Sequence, residues 1–470
     1  MRAAAHWNLI SIISLLAALA TPAYAGWGRA KLIGRNADFG AIAVDLAGTS
    51  HVIYGGGRLK NPSLFYTTYS ATRARGPSVS LPLRFLDQPS IAVDSSGAPH
   101  VALVSNPLEG VSTLIYLSLS GSQWQQQTVT DDSVAGGPQL AIDALDNPHV
   151  AYFESPENLL EHAFFDGSQW QIEDTNSSAY PTSMRIAKDG TVHVAGVTGS
   201  QVCEERGLNG VWNGECFDSY FGNQAFVGFQ ADGSPEIAYI GPGNQSIELA
   251  SFDGTSWSSV PVVEAGTLGL YVIDNISFAT DTQGLGSLFF SGDGPKQNTI
   301  FYAHQQGDGS WPVTDLGGNK FVNFLSLAIS LDPANLPHLV FDLSTPVAGA
   351  EAYGSERLPG FTAQWAGIAT ASKSDKTTIT GNLQVRNFGT AAGNGLTIDY
   401  YLSTDDQLDP GDTLIERAPL GLEAGQQKTV KFLYVTSAPV AGEYLIAAIA
   451  SAKPQAEADN SNNVAAGQIP

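Results

Sequence analysis

Five histidines, His51, His100, His149, His193 and His338, recur in the same local setting, at the start of an alternating apolar run. Three of them follow an aspartate by six residues: Asp45, Asp94 and Asp143. Imidazole and carboxylate together can hold zinc or copper. A position that returns unit after unit, however, answers a need that every unit shares, and an Asp–His hydrogen bond locking a turn meets that need. The sequence therefore assigns these residues to structure, with no metal site and no cofactor. Six tryptophans (Trp27, Trp124, Trp170, Trp212, Trp257 and Trp311) also recur. They could stack on sugars, but large rings on half-buried strands are expected to pack between units. Asp405, Asp406, Asp409 and Asp412 offer oxygens to calcium, yet their spacing lacks the alternating ligands of a calcium loop and reads as a solvated hairpin.

Chemistry of the catalytic kind has little support. The chain shows no nucleophile elbow, no His-Glu-x-x-His zinc signature and no phosphate-cradling loop, so no catalytic residue is assigned. A carboxylate pair brought together from separate loops would still suffice to hydrolyse a glycan. A cysteine pair remains, Cys203 and Cys216. The segment between them, CEERGLNGVWNGEC, centres on Asn209-Gly210, the strongest two-residue hairpin signal. Counting outward sets Leu208 opposite Val211 and Cys203 opposite Cys216, as a non-hydrogen-bonded pair within disulfide reach.

These residues ride on a repeat. AIAVDLAGTSHVIY from Ala41, SIAVDSSGAPHVAL from Ser90 and QLAIDALDNPHVAY from Gln139 are near copies, with weaker ones from Ser183, Ala225, Ile276 and Ser326. Seven copies at intervals of about 43 to 51 residues match the period of propeller blades. Each copy reads as a hairpin, two alternating runs around a turn rich in Gly, Asp, Asn and Pro. A second hairpin follows most copies, as in LIYLSLSGSQWQQQTV from Leu114, with Trp at the start of its outgoing strand. Two hairpins make four strands, one blade. The last copy has a third strand near residues 349–354 but no Trp-bearing fourth. Such a strand stands alone at Gly26–Ile33, and Trp27 precedes Asp45 by 18 residues, close to the 19 from Trp124 to Asp143. The N-terminal strand is thus expected to complete the seventh blade and close the ring, which removes exposed strand edges.

The ends of the chain differ from the repeat. Arg2 followed by the apolar run Leu9–Ala20 and by Ala23-Tyr24-Ala25 reads as a signal peptide over residues 1–25, cleaved after Ala25. Secretion to the periplasm, cell surface or medium follows, without membrane insertion. Repeats occupy residues 26–357, and residues 358–470 carry a different set of short strands suited to a β-sandwich. There VRNFGTA from Val385, YLS with DDQLDPGDTLI, GLEAGQQKTV, GEYLIAAIA and the closing Asp459-Asn460-Ser461-Asn462-Asn463 resemble, in order, the bacterial cell-adhesion-related domain CARDB. The resemblance implies an immunoglobulin-like sandwich in an extracellular, adhesive or spacing role. The repeats more loosely resemble bacterial seven-bladed propellers of the sialidase-like broad class.

Charge narrows the partner. Against 22 Lys and Arg stand 45 Asp and Glu, a formal net charge of −23, which disfavours nucleic acid and anionic membranes. Eight basic residues crowd between Arg29 and Arg84, and none falls between Phe85 and Met184. Gly55–Ser63 (GGGRLKNPS) reads as a loop on the face of the ring that usually carries ligands. Arg58 and Lys60 in it, with Arg84 nearby, form the sequence's candidate binding site. The expected class is all-β, a seven-bladed β-propeller followed by an immunoglobulin-like β-sandwich. The expected function is binding or adhesion to an extracellular polysaccharide or surface protein. A propeller-fold polysaccharide lyase or glycoside hydrolase is the alternative, and a structural envelope component is another.

Overall fold

The computed structural model describes residues 31–35, 37–58, 61–70, 75–81, 83, 88–105, 111–219, 224–295, 298–319, 326–342, 350–355, 361–387, 393–409, 411–423, 426–451 and 464–470. Residues 1–30, on which the expected signal peptide and Trp27 fall, lie outside them, as do Lys60, Arg84 and the Arg58 side chain. The chain is all-β and divides into two compact units, Gly28–Ser355 and Glu356–Pro470. No helix among the described residues is long and apolar enough to cross a membrane.

The first unit contains seven four-stranded antiparallel sheets among the described residues. Their first strands are Ala37–Val44, Ser90–Val93, Val134–Ile142, Tyr180–Ile186, Ala225–Phe229, Val272–Thr280 and Leu327–Leu331. Sheets one to six are each a simple meander. Sheet seven is completed by Lys31–Arg35, which pairs with Ala350–Ser355 from Lys31↔Tyr353 to Arg35↔Ala350. First strands of successive sheets lie side by side, and that of sheet seven returns to that of sheet one, so the sheets form a ring.

One turn explains why each sheet begins alike. In sheets one, two, three, six and seven an Asp (45, 94, 143, 281, 332) accepts two backbone N–H groups through Oδ1, from the residues two and four ahead. The distances run from 2.7 to 2.9 Å. The residue three ahead takes positive φ in all seven turns. It is Gly in five sheets, Asp146 (φ 65°) in the third and Asn335 (φ 61°) in the seventh, the residue types that tolerate this region. Apolar residues then fill the spaces between sheets: Ile53, Leu64, Val101 and Leu103 in one cluster, Ile237, Val227 and Tyr239 in another.

The segment Gly55–Ser63 corrects the sequence reading. It is continued strand, pairing Gly55↔Leu64, Gly56↔Ser63, Gly57↔Pro62 and Arg58↔Asn61, with only residues 59 and 60 between. Three glycines are poor strand formers alone, but here they are carried by a partner strand that buries Leu64 and Tyr66.

The second unit has a three-stranded sheet, Phe361–Lys373, Lys376–Asn387 and Gln427–Thr436. A four-stranded sheet runs Thr413–Leu422, Gly393–Ser403, Tyr444–Ser451, Val464–Gln468. Residues 379, 381, 383, 385 and 387 are buried while their neighbours face solvent, the period-two pattern of a half-buried strand. Ile379, Leu383, Val385, Ile398, Tyr400, Phe432 and Leu445 make the shared core. Trp365 ties the layers by donating its Nε1–H to the carbonyls of Leu445 (3.1 Å) and Ala465 (3.2 Å).

Candidate functional site

Of the three cations singled out in the sequence, only the backbone of Arg58 is described, at the end of its strand. The five repeated histidines and the tryptophans other than Trp27, which lies outside the described residues, are placed, and they build the ring. In sheet one the Asp45 carboxylate meets His51 Nε2 at 3.3 Å, and His51 Nδ1 lies 2.7 Å from the Tyr66 hydroxyl. Trp124 of sheet two stands edge-on to the Tyr66 ring, centroids 5.1 Å apart. Sheet two repeats the chain as Asp94–His100–Tyr116, with Trp170 of sheet three against Tyr116 at 5.2 Å. Trp124 and Trp170 thus pack between neighbouring sheets. The sequence reading paired three histidines with aspartates. The structure adds a fourth, His338 with Asp332 at 3.4 Å, whose Nδ1 reaches Ser50 of sheet one at 2.7 Å.

Sheets three and four vary the theme. His149 Nδ1 and His162 Nε2 share a hydrogen bond of 3.0 Å, and His162 Nδ1 bonds Glu173 at 3.0 Å. Glu173 also accepts from Trp212 Nε1 of sheet four at 3.0 Å. Burial, then the neighbouring His162, pushes His149 down to about 4, so His149 is neutral at physiological pH. In sheet four His193 bonds the fully buried Glu204 at 2.7 Å. Close by, Cys203 and Cys216 form a disulfide across the register foreseen from the sequence, Cα atoms 4.0 Å apart.

First strands of all seven sheets line one central cavity of about 480 Å³, within the range of ligand sites. Each first strand is the inner edge of its sheet, so its outward N–H groups need partners. Side chains of neighbouring sheets supply them. Ser90 Oγ accepts from Leu140 N (3.0 Å), Ser183 Oγ from Val227 N (2.7 Å), Gln224 Oε1 from Ile276 N (2.9 Å) and Ser277 Oγ from Ile329 N (3.2 Å). Thr182 Oγ1 donates to the Ala225 carbonyl at 2.7 Å. Much of the polar lining is therefore spent on stitching the ring together.

Arg185 is the exception. Among the described residues it is the one charged residue lining the cavity, and its side chain is exposed. Its place in the register is the residue paired across from the repeated histidine, here His193. At the same place the other sheets carry Ala43, Ala92, Ala141, Gly228, Ala279 and Ser330. Six small residues and one arginine thus occupy equivalent register places, and of these, among the described residues, only the arginine of sheet four reaches the cavity lining. Its guanidinium donates one hydrogen bond among the described residues, from Nη1 to the Met184 carbonyl at 3.1 Å. Surrounding protein lowers its pKa, and no carboxylate offsets that effect. The sequence signal was legible in the aligned copies, where SMRIAKDG alone has a bulky charge at this place. It gains meaning only once seven first strands converge.

Comparison with known proteins follows the division into units. Residues 366–467 match the CARDB family model, so the immunoglobulin-like C-terminal unit carries a CARDB domain. No functionally curated protein matches the chain in sequence. Among solved structures it is similar to YCF48 bound to a D1 peptide, at 14% identity and a TM-score of 0.46, covering 70% of this chain and 95% of that one. It is also similar to the fucose-recognising lectin of Aleuria aurantia, a six-bladed β-propeller, at 12% identity and TM-score 0.41, covering 61% and 96%. A Staphylococcus aureus virginiamycin B lyase is similar at 9% identity and TM-score 0.46, covering 69% and 97%.

Proposed function

We propose that the chain is a secreted or cell-surface binding protein that takes an extracellular polysaccharide into the central cavity of its β-propeller unit. The CARDB sandwich serves as a spacer or second contact. The observation that carries this reading is the cavity itself, walled by all seven first strands and bearing, among the described residues, a single charged group, Arg185. A guanidinium stays protonated across the physiological range, so it binds anions but cannot exchange protons as a general acid or base. Amide, hydroxyl and aromatic side chains elsewhere in the lining (Gln139, Tyr180, Phe226, Phe278) suit a hydroxylated ligand with apolar ring faces. An oxidising destination agrees with the disulfide.

Affinity electrophoresis of the full chain through gels holding neutral and acidic polysaccharides tests this, with an assay of the excised gel for released sugar ends. Retardation without released ends is the expected result. Released ends would make the protein an enzyme, and unchanged mobility on every polysaccharide would remove the glycan reading.

A further inference from the structure

Arg185 sits toward one end of the cavity. Tyr180, which opens the same strand, lies five residues away, or about 16 Å at the rise of a β-strand. The end near Arg185 is the end of the repeated turns, where Asp45, Asp94, Asp143, Asp281 and Asp332 gather. Those carboxylates are occupied by backbone N–H groups, and four of them by histidines as well. They repel an anion arriving from the turn side and leave the opposite mouth, near Tyr180, as the approach. Arg185 itself is joined to none of them: among the described residues it has no ion pair. The exposed guanidinium therefore faces the cavity without a counter-charge among the described residues, although the chain has 45 acidic residues. At the same register place every other sheet has a residue no larger than serine, so Arg185 is the one long side chain at that level of the ring.

The geometry points to Arg185 as the anchor for an anionic group of the ligand, entering from the Tyr180 end, so that the polysaccharide bound is an acidic one. This inference rests on the cavity being the binding site and adds the ligand's chemical class. A planar carboxylate matches the guanidinium through two parallel N–H bonds, and a sulfate ester offers the same oxygens without that planarity.

Calorimetric titration of the full chain with three probes separates the outcomes: oligogalacturonate, oligogalactan of equal length, and a sulfated galactan oligomer. The first differs from the second chiefly by its carboxylates. Oligogalacturonate or the sulfated oligomer is expected to bind at least tenfold more tightly than oligogalactan, with an affinity that falls as salt rises. Arg185→Gln, which keeps length and hydrogen-bonding capacity, is expected to erase that preference. The preferred anionic probe identifies carboxylate or sulfate as the group held. Tight binding of the neutral oligomer, equal to the acidic ones and unchanged in Arg185→Gln, overturns the anion assignment while the cavity reading stands. No binding of any probe overturns both. Should Arg185→Gln fail to fold, as judged by circular dichroism, Arg185→Lys serves, with a loss of the carboxylate preference again expected. An anion preference that survives in a folded Arg185 variant would also overturn the assignment.

Discussion

Glu236 stands where five sheets place a histidine, at the start of the second strand and across from Gly228. Its usual partners are missing. The turn residue six positions earlier is Gln230 rather than Asp. The third-strand place that supplies Tyr66, Tyr116, His162 or Glu204 elsewhere is taken by Leu249, which offers no hydrogen bond. The carboxyl is 3% exposed, its Oε1 has no partner, and burial pushes it up to about 7. The sign of the consequence follows. Below pH 4.5 the group is protonated folded and unfolded alike and costs nothing extra. As pH rises toward and through 7, the unfolded chain releases a proton that the folded chain holds, so stability is lost over that window. Glu236→Gln removes the titration. The variant is expected to match the parent near pH 4 and to exceed it by about 3 kcal/mol at pH 8. Urea unfolding of both proteins at the two pH values measures this, and a difference that ignores pH would refute it.

At the scale of elements, hairpins were the legible part of the chain. Their register follows from turn chemistry that the residues spell out. Asn209 (φ 51°) and Gly210 (φ 76°) form the two-residue turn that their sequence demands, and five steps outward the cysteines meet. Gly55–Ser63 was misread because glycine content signals a loop, while pairing against a buried strand decides otherwise. Arg185 escaped notice for a different reason. Charge was weighed along the chain, where eight cations near the N-terminus stand out, and not around the ring, where one residue does. The fourth Asp–His pair, Asp332 with His338, was missed although its spacing of six was present. The disulfide yields a prediction here. It closes a loop of 13 residues, for which the chain-entropy model gives about 3 kcal/mol. Reduction is expected to lower the unfolding midpoint by that order while strand content at room temperature is kept, since the hairpin is held by its turn and ladder. Guanidinium unfolding with and without dithiothreitol reads the first part, far-ultraviolet circular dichroism the second.

A second link at this scale joins neighbouring sheets. Trp212 of sheet four donates to Glu173 of sheet three, which also receives His162. Trp212→Phe keeps a ring against His162 but removes the donor to a charged acceptor. Such a bond is worth about 1.5–3 kcal/mol, and a loss in that range is expected by the same unfolding measurement. A loss below about 0.5 kcal/mol would show that Glu173 finds other partners and that sheets three and four are joined by packing alone.

The whole ring depends on a strand drawn from far away in sequence. Lys31–Arg35 pairs with Ala350–Ser355, and Ile33, 4% exposed, enters a core made by Ile42, Val52, Tyr54 and Tyr69 of sheet one with Val340 of sheet seven. Arg75 of sheet one fixes it further, donating Nη2–H to the Ile33 carbonyl at 2.7 Å. Without this strand, residues 350–355 would present an unpaired outer edge, and the apolar seam between sheets seven and one would open to water. Unpaired edges invite association with other chains, and the loss of a non-local closure leaves the remaining sheets to unfold in smaller cooperative blocks. A chain beginning at Ala37 is therefore expected to form dimers or larger species in size-exclusion chromatography with light scattering. Its unfolding should be broader and start at a lower temperature than that of the full chain. A synthetic peptide of residues 26–36 added in excess is expected to restore the full chain's elution and sharpen the transition, because it refills the vacant edge. Aggregation that the peptide cannot reverse would assign the damage to something other than closure. A truncated chain that stays monomeric and unfolds like the parent would mean that the ring holds by the contacts between first strands alone.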